Sequence, residues 1–189
     1  MSRLIVLACL AFNTAAFADA DLHKTAAGRW KSEGAEDLGN GSFATRDFTF
    51  TGKKWQLTFT IFADKELKTP LVAMDFEGPW QPTKPSEKVP GASEASFEFS
   101  SKKVTLKAAD VAVAKNFGMD GCGLVPNKAK DVTKTGCSFV GSVAAYGKEF
   151  DLLKVDGASM WLGARPADGN MGSEDKRPTA LGAKLVKAK

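Results

Sequence analysis

RDFTFTGKKWQLTFTI, residues 46–61, alternates apolar and polar side chains over almost its whole length. A period of two is typical of a β-strand with one buried face. Gly52 and Lys53 interrupt the alternation where a hairpin turn is needed, and glycine allows the backbone to turn tightly there. The stretch therefore predicts two antiparallel strands whose apolar side chains share a face.

The same period recurs along the rest of the chain, in segments expected to form further strands: 72–76, 97–99, 104–106, 138–140, 150–152, 159–162 and 181–185. About eight to ten short strands with regular turns predict a mostly β protein, an antiparallel β-barrel or half-barrel. Residues 108–117 are rich in alanine and end before Gly118, which predicts one short helix. Residues 78–91 and 166–179, rich in proline, glycine and charged residues, are expected to be loops.

The composition is that of one globular domain, and it argues against several classes of function. The chain has 189 residues, of which 43% are hydrophobic, and a single histidine, His23. A zinc site built from several histidines is therefore excluded, and S-x-x-K and K-T-G motifs lack the S-D-N triplet of penicillin-recognising enzymes. The net charge of +4 comes from scattered lysines, without the basic and aromatic stripe of a nucleic-acid-binding protein. We expect no catalytic site, metal site, cofactor or nucleic-acid partner.

The first twenty residues have the pattern of a cleaved secretory signal peptide. A short basic start is followed by the apolar run 4–12 and by small residues suited to cleavage near Ala18 or Ala20. The run is too short to span a bilayer, and no later stretch is apolar enough to do so. We therefore expect a signal peptide, residues 1–20, and a single secreted or periplasmic domain, residues 21–189.

Cys122 and Cys137 are the cysteines that remain when the signal peptide, with Cys9, is removed. Exported proteins meet an oxidising environment, so one disulfide between the two is expected. A metal site is an alternative, but further cysteine or histidine ligands nearby in sequence are missing. Catalytic thiol chemistry is a second alternative, and no histidine lies near either cysteine in sequence.

Gly28-Arg29-Trp30 resembles the G-x-W motif that opens lipocalin-like barrels, in which the tryptophan packs one end of the barrel. Because alternating strands follow the motif, it favours a lipocalin-like barrel, a fold that can hold one small ligand. Trp30 is expected to be a core residue whether or not the barrel binds anything.

A longer series of segments carries a second resemblance: 28–36, 43–50, Gly91 with Glu94, 122–123, 131–133, 136–137, 150–154, 165–169 and 176–178. In this order they resemble the domain of the adenomatosis polyposis coli down-regulated protein family. The resemblance implies a secreted β-barrel-like domain with a hydrophobic pocket, which the two-domain animal proteins use to engage lipid-modified Wnt proteins. Ala35 and Leu67 stand where that family has a second pair of cysteines, and one domain is present here. The expectation that carries over is the fold and an acyl-binding pocket, not the Wnt role.

Ten apolar side chains are candidates for the wall of such a pocket: Phe48, Phe50, Trp55, Leu57, Phe59, Ile61, Phe76, Phe97, Phe99 and Trp161. The first six share a face by the period-two rule. A solid core made by the same side chains is the alternative, because small barrels are commonly packed by their own residues. Arg46 and Arg165 are candidates for binding a ligand carboxylate, with a surface or structural role as the alternative.

Two functional hypotheses follow. The first is an exported, non-catalytic binding protein with an apolar pocket for a lipid, an acyl chain, an acylated protein or another hydrophobic ligand. The second is an extracellular or envelope protein-interaction module with a filled core, which makes contacts through residues 78–91 and 166–179. A cavity lined by phenylalanines favours the first, and exposed loop aromatics such as Trp80 favour the second. In both cases we expect a monomer or a weak oligomer.

Overall fold

The computed structural model describes residues 22–189, and the predicted signal peptide lies outside them. Residues 22–25 are helical, and the regular elements that follow include three short 3₁₀ helices, Val111–Phe117, Asp120–Cys122 and Glu174–Lys176. The strands are β1 (Gly28–Ser32), β2 (Glu36–Asp37), β3 (Phe43–Thr51), β4 (Lys54–Phe62), β5 (Pro70–Pro85), β6 (Ser93–Glu98), β7 (Ser101–Leu106), β8 (Lys130–Asp131), β9 (Lys148–Asp156), β10 (Ser159–Gly163) and β11 (Leu181–Lys187).

Eight of these strands close into an antiparallel barrel in the order β1-β3-β4-β5-β6-β9-β10-β11. The barrel closes because β11 pairs with β1, with Trp30 opposite Lys187 and Ser32 opposite Leu185. Every neighbouring pair is antiparallel, as expected for a barrel built from hairpins and one longer connection. The predicted mostly β fold and antiparallel barrel are confirmed.

β5 is long enough to pair with two successive strands on one side. Its first half lies against β7 and its second half against β6, so that β6 and β7 together follow the whole of β5. At the junction, a Cβ on Gly78 would lie only 2.0 Å from the carbonyl oxygen of Glu98. Only glycine permits this close approach of two backbones. β7 then pairs with the short β8, beyond the barrel itself.

Three local predictions are corrected by the structure. Residues 78–85 belong to β5: Trp80 to Pro82 alternate between buried and exposed, and residues 80–85 pair with β6, with a register shift between Pro82 and Lys84. Residues 138–140 form no strand: Ser138 has a left-handed φ of 53°, and only an isolated bridge joins Cys137 to Val140. The predicted helix is present but shorter, since the Asp110 side chain caps the 3₁₀ helix Val111–Phe117.

The interior contains two hydrophobic cores. The first, here called the barrel core, lies inside the closed barrel and contains Ala26, Trp30, Phe48, Phe50, Trp55, Trp80, Ala95, Phe97, Phe99, Leu153, Met160 and Leu185. The second, here called the side core, lies between the β4-β5-β7 part of the sheet and the segment 107–140. It contains Ile61, Val72, Met74, Val104, Leu106, Ala114, Met119, Val132, Cys137 and Val140.

The predicted disulfide between Cys122 and Cys137 is present, with the two sulfur atoms 2.04 Å apart. Cys137 is buried in the side core, and Cys122 packs against that core. The bond closes a loop over residues that have few strand hydrogen bonds of their own. It therefore holds the segment 122–137 on the side core.

One end of the barrel is closed by the residues that precede β1. The indole nitrogen of Trp30 donates a hydrogen bond of 2.7 Å to the carbonyl oxygen of Ala26. Leu22 packs against the barrel core, and the His23 ring lies 4.4 Å from the ring of Trp80. Trp30 thus joins the short N-terminal helical turn to the core of the barrel.

We expect Trp30→Ala to lower the free energy of unfolding by about 3–5 kcal/mol, because it leaves a large cavity in the barrel core and removes the bond to Ala26. Lys31→Ala, one residue away on the outer face, is expected to change it by less than about 1 kcal/mol. Chemical denaturation of both variants checks this. Equal losses for the two would contradict the role assigned to Trp30.

Candidate functional site

Five of the predicted pocket residues are sealed in the barrel core. Phe48, Phe50, Trp55, Phe97 and Phe99 are all at most 8% exposed. Three of their ring contacts are edge to face, such as that of Trp55 with Phe97 at 5.3 Å, and Phe48 stacks on Phe50 at 5.7 Å. Such edge-to-face contacts are the preferred packing of aromatic side chains in a core. This half of the barrel interior is filled by its own side chains.

Leu57, Phe59 and Phe76 also face the interior but are only half-buried. Leu57 pairs across the strands with the buried Phe48 on one side and with Phe76 on the other. Leu162 on β10 is half-buried too and lies opposite the buried Leu153. β10 is the fourth strand from β4 around the barrel, so Leu162 faces these residues from the opposite wall.

We call these four residues, Leu57, Phe59, Phe76 and Leu162, the mouth. Their side chains point toward the inside of a closed barrel, yet solvent reaches them. Along β4, Leu57 and Phe59 lie between the buried Trp55 and the buried Ile61, and Phe59 and Phe76 also pack against the side core. Apolar side chains that solvent can reach are the usual lining of a small-molecule binding site.

The remaining two predicted pocket residues lie elsewhere. Ile61 belongs to the side core and is 4% exposed. Trp161 follows the fully buried Met160 on β10 and so points to the outer face, where the Lys154 ammonium lies 5.9 Å from its ring centroid. The ten candidates are therefore divided between the barrel core, the mouth, the side core and the outer surface.

An ion pair lies on the interior face of β3, beside the mouth. Arg46 falls between buried Phe48 and buried Ala44 in the strand alternation, and its guanidinium lies 5.6 Å from the centroid of the Phe59 ring. Its Nη1 is 2.8 Å from the Glu36 Oε2. The Ser32 hydroxyl donates to the other Glu36 oxygen and accepts from the Arg46 backbone N–H.

A second ion pair lies on the opposite wall. Glu149 pairs across the strands with Phe97, which places it on the interior face of β9. Its Oε1 accepts a 2.8 Å hydrogen bond from the Nη2 of Arg165, whose Nη1 donates to the carbonyl oxygen of Gly169. Both arginines proposed as carboxylate ligands are thus paired with a glutamate, and Arg165 also holds the loop that follows β10.

Lys102 is 2% exposed and lies between the two cores. Its ammonium donates to the carbonyl oxygens of Gly141 and Tyr146 and lies 4.3 Å from the centroid of the Phe99 ring. Burial lowers the pKa of Lys102, and the negative charge of Glu149 partly opposes this effect. The lysine therefore fixes the segment 141–146 over the interior and has its donors directed at the backbone.

Asp151 is a buried carboxyl on the same interior face of β9. Its Oδ1 accepts hydrogen bonds from the backbone N–H groups of Leu152 and Gly163, at 2.7 and 2.8 Å. Burial outweighs these bonds and raises the pKa of Asp151 to about 7. At neutral pH the barrel wall thus holds a carboxyl group that is close to half ionised.

Residues of one strand that are all even-numbered or all odd-numbered share a face, and this parity rule predicts interior polar groups from the sequence. Arg46 has the same parity as Phe48 and Phe50, and Lys102 has that of Val104 and Leu106. Because strand residues of equal parity share a face, each was predictable as an inward-facing charge. The ion-pair partners were not predictable, since they depend on which strands become neighbours.

The two best-defined depressions of the described chain lie outside the barrel. One, of about 360 Å³, separates the β5–β6 turn from the loop before β11 and is lined by Thr83, Lys84, Ser86, Lys88, Glu94, Glu174, Arg177 and Pro178. The other, of about 330 Å³, is lined by Ser100, Ser101, Asp131, Thr133, Lys134 and Thr135. The first is lined mainly by polar and charged side chains, and we call it the loop cleft.

In comparisons with known proteins, neither a family model nor a curated sequence matches the chain. Within residues 22–189, no helix is long and apolar enough to cross a membrane. In the same part of the chain, no three histidine, cysteine, aspartate or glutamate side chains are grouped so as to hold a metal ion. The geometry of the barrel therefore carries the functional inference.

We expect the stability of the protein to fall as the pH rises from about 4 to about 7, because unfolded Asp151 ionises near pH 3.8 and the folded group only near 7. Asp151→Asn keeps the acceptor oxygen and removes this effect. The variant is expected to match the wild type at pH 4 and to exceed it by up to about 4 kcal/mol at pH 8.

Denaturant unfolding at the two pH values measures the difference. Asp156→Asn, an exposed position on the same strand, is the control and is expected to follow the wild type at both values. An Asp151→Asn variant whose stability changes with pH as the wild type's does would contradict the assignment.

Proposed function

We propose that the protein is a non-catalytic binding protein that takes an apolar ligand, such as a fatty acyl chain, into the mouth of the barrel. The observation that carries the proposal is the set of inward-facing apolar side chains that solvent can reach, Leu57, Phe59, Phe76 and Leu162. Leaving such surface exposed costs about 25 cal/mol per Å². A ligand that covers it recovers this free energy.

The filled barrel core limits the size and depth of what can bind. Trp55, Phe97 and Phe99 form a floor of packed rings below the mouth. A ligand therefore occupies the outer half of the barrel, with one end accessible to solvent. This arrangement suits a single acyl chain, and the resemblance to a domain family that engages lipid-modified proteins supports the same class of ligand.

Export from the cytoplasm is part of the proposal. The N-terminal residues have the pattern of a signal peptide, and Cys122 and Cys137 form a disulfide. Disulfides persist in oxidising compartments and are rare in the cytosol. Both features support a secreted or periplasmic location.

We expect the wild-type protein to take up one dodecanoate per chain in native mass spectrometry and to bind it saturably in calorimetry. Leu57→Trp fills the mouth without adding charge and is expected to weaken binding at least about tenfold, the cost of losing one well-buried apolar contact. Gln56→Trp, the neighbouring position on the outer face, is the matched control and is expected to bind as the wild type does.

If the wild type binds neither dodecanoate nor 1-dodecanol, the proposal is overturned. Equal loss in the two tryptophan variants would place the ligand outside the barrel. Circular dichroism and thermal unfolding of both variants show that each retains the fold.

The loop cleft supports a second candidate, a protein-interaction module. It joins parts of the two segments that the sequence marks for contacts, and its wall combines Lys84, Lys88 and Arg177 with Glu94 and Glu174. Arg177 is 8% exposed at its side chain and donates to the carbonyl oxygens of Ala95 and Asp151, which makes one wall rigid. A rigid, charged depression is suited to a polar protein segment.

A photo-crosslinking amino acid at Lys88 tests this candidate in the producing cell. We expect one adduct of defined mass if the cleft binds a partner, and we expect none from the same group at Lys107, an exposed control position directly after β7. Absence of an adduct at Lys88, or equal adducts at both positions, would contradict it.

A further inference from the structure

Arg46 is an inward-facing cation that uses little of its hydrogen-bonding capacity. Apart from the ion pair with Glu36, its guanidinium has no hydrogen-bond partner among residues 22–189. A guanidinium carries five N–H donors, so most of them remain available. Its side chain is 24% exposed and that of Glu36 is 12% exposed, so the pair is largely withdrawn from solvent but still reachable.

Two other cations at the barrel wall, Arg165 and Lys102, each make two hydrogen bonds. Both terminal nitrogens of Arg165 donate, to Glu149 and to the backbone of Gly169. Lys102 donates to two carbonyl oxygens and lies against the Phe99 ring. Of these three described cations, Arg46 thus has the most donors left for a ligand.

Arg46 also lies next to the apolar surface that the ligand would cover. Phe59 is its cross-strand neighbour, and the ring of Phe59 contacts the guanidinium at 5.6 Å. Two residues further along β3, Phe48 pairs with Leu57 of the mouth. A molecule whose chain lies on Leu57 and Phe76 therefore has its end group within reach of Arg46.

We propose that the ligand is an amphiphile with a carboxylate head group, which Arg46 binds while the mouth holds the chain. This inference rests on the proposed binding function and adds the chemistry of the head group. The planar guanidinium matches a carboxylate and gives two parallel, charge-assisted hydrogen bonds. Glu36 competes for the same guanidinium and holds Arg46 in place when no ligand is bound.

Two ligands that differ only in the head group test the inference. The wild type is expected to bind dodecanoate about tenfold more tightly than 1-dodecanol at pH 8, the typical value of one charge-assisted interaction. Arg46→Gln is expected to abolish this preference by weakening dodecanoate binding and leaving 1-dodecanol binding within about twofold.

Arg29→Gln is the matched control. Arg29 forms an ion pair with Asp47 at 2.6 Å on the outer faces of β1 and β3, so its loss removes a similar charge outside the barrel. It is expected to leave the affinities for both ligands unchanged. Calorimetric titration of the three proteins with the two ligands gives the comparison.

Glu36→Gln separates ligand binding from a structural role of the ion pair. Removal of the competing carboxylate is expected to strengthen dodecanoate binding several-fold and to leave 1-dodecanol binding unchanged.

If Arg46→Gln and Glu36→Gln both weaken the binding of the two ligands equally, Arg46 has only a structural role and the inference fails. It also fails if the wild type binds the acid and the alcohol equally well. If the wild type binds neither ligand, the proposed function fails as well.

Discussion

Pairing of β1 with β11 joins the first and last strands and closes the sheet on itself. An open sheet has two exposed edge strands, and closure removes both. It also makes one face of every barrel strand an interior face. Trp30 lies in this junction, is fully buried and also holds the preceding helical turn. The packing of the aromatic core and the position of the mouth both follow from this closure.

The closed barrel has an interior of two kinds. Toward the helical turn at residues 22–25, aromatic rings fill the space. The indole N–H groups of Trp30, Trp55 and Trp80 donate to backbone carbonyl oxygens. Toward the mouth, apolar side chains alternate with charged ones, among them the pairs Arg46–Glu36 and Glu149–Arg165. Burying an unpaired charge costs far more than burying a pair, so Glu36 stabilises the inward-facing Arg46.

The sequence predicts the architecture well because period two is a local property. The hairpin of β3 and β4, the disulfide and the core position of Trp30 were all predicted from the sequence. The length of β5 was missed because prolines at 79, 82 and 85 suggested a loop, although residues 80–85 pair with β6. The division of the ten apolar candidates was out of reach, because depth along a barrel depends on strand register. Trp161 shows the same limit: it lies on the face opposite to the buried Met160, and which of the two faces is interior follows only from the closed barrel.

The central claim is that an apolar ligand enters the barrel at the mouth. Paramagnetic broadening of backbone amide signals by a spin-labelled fatty acid tests it most directly, because broadening reports distance from the bound label. The account predicts strong broadening at Leu57 and Leu162, on opposite walls of the mouth, and sharp signals at Leu22 and His23, at the closed end. Broadening centred on Lys88 and Glu174 in the loop cleft, or no broadening at all, would contradict it.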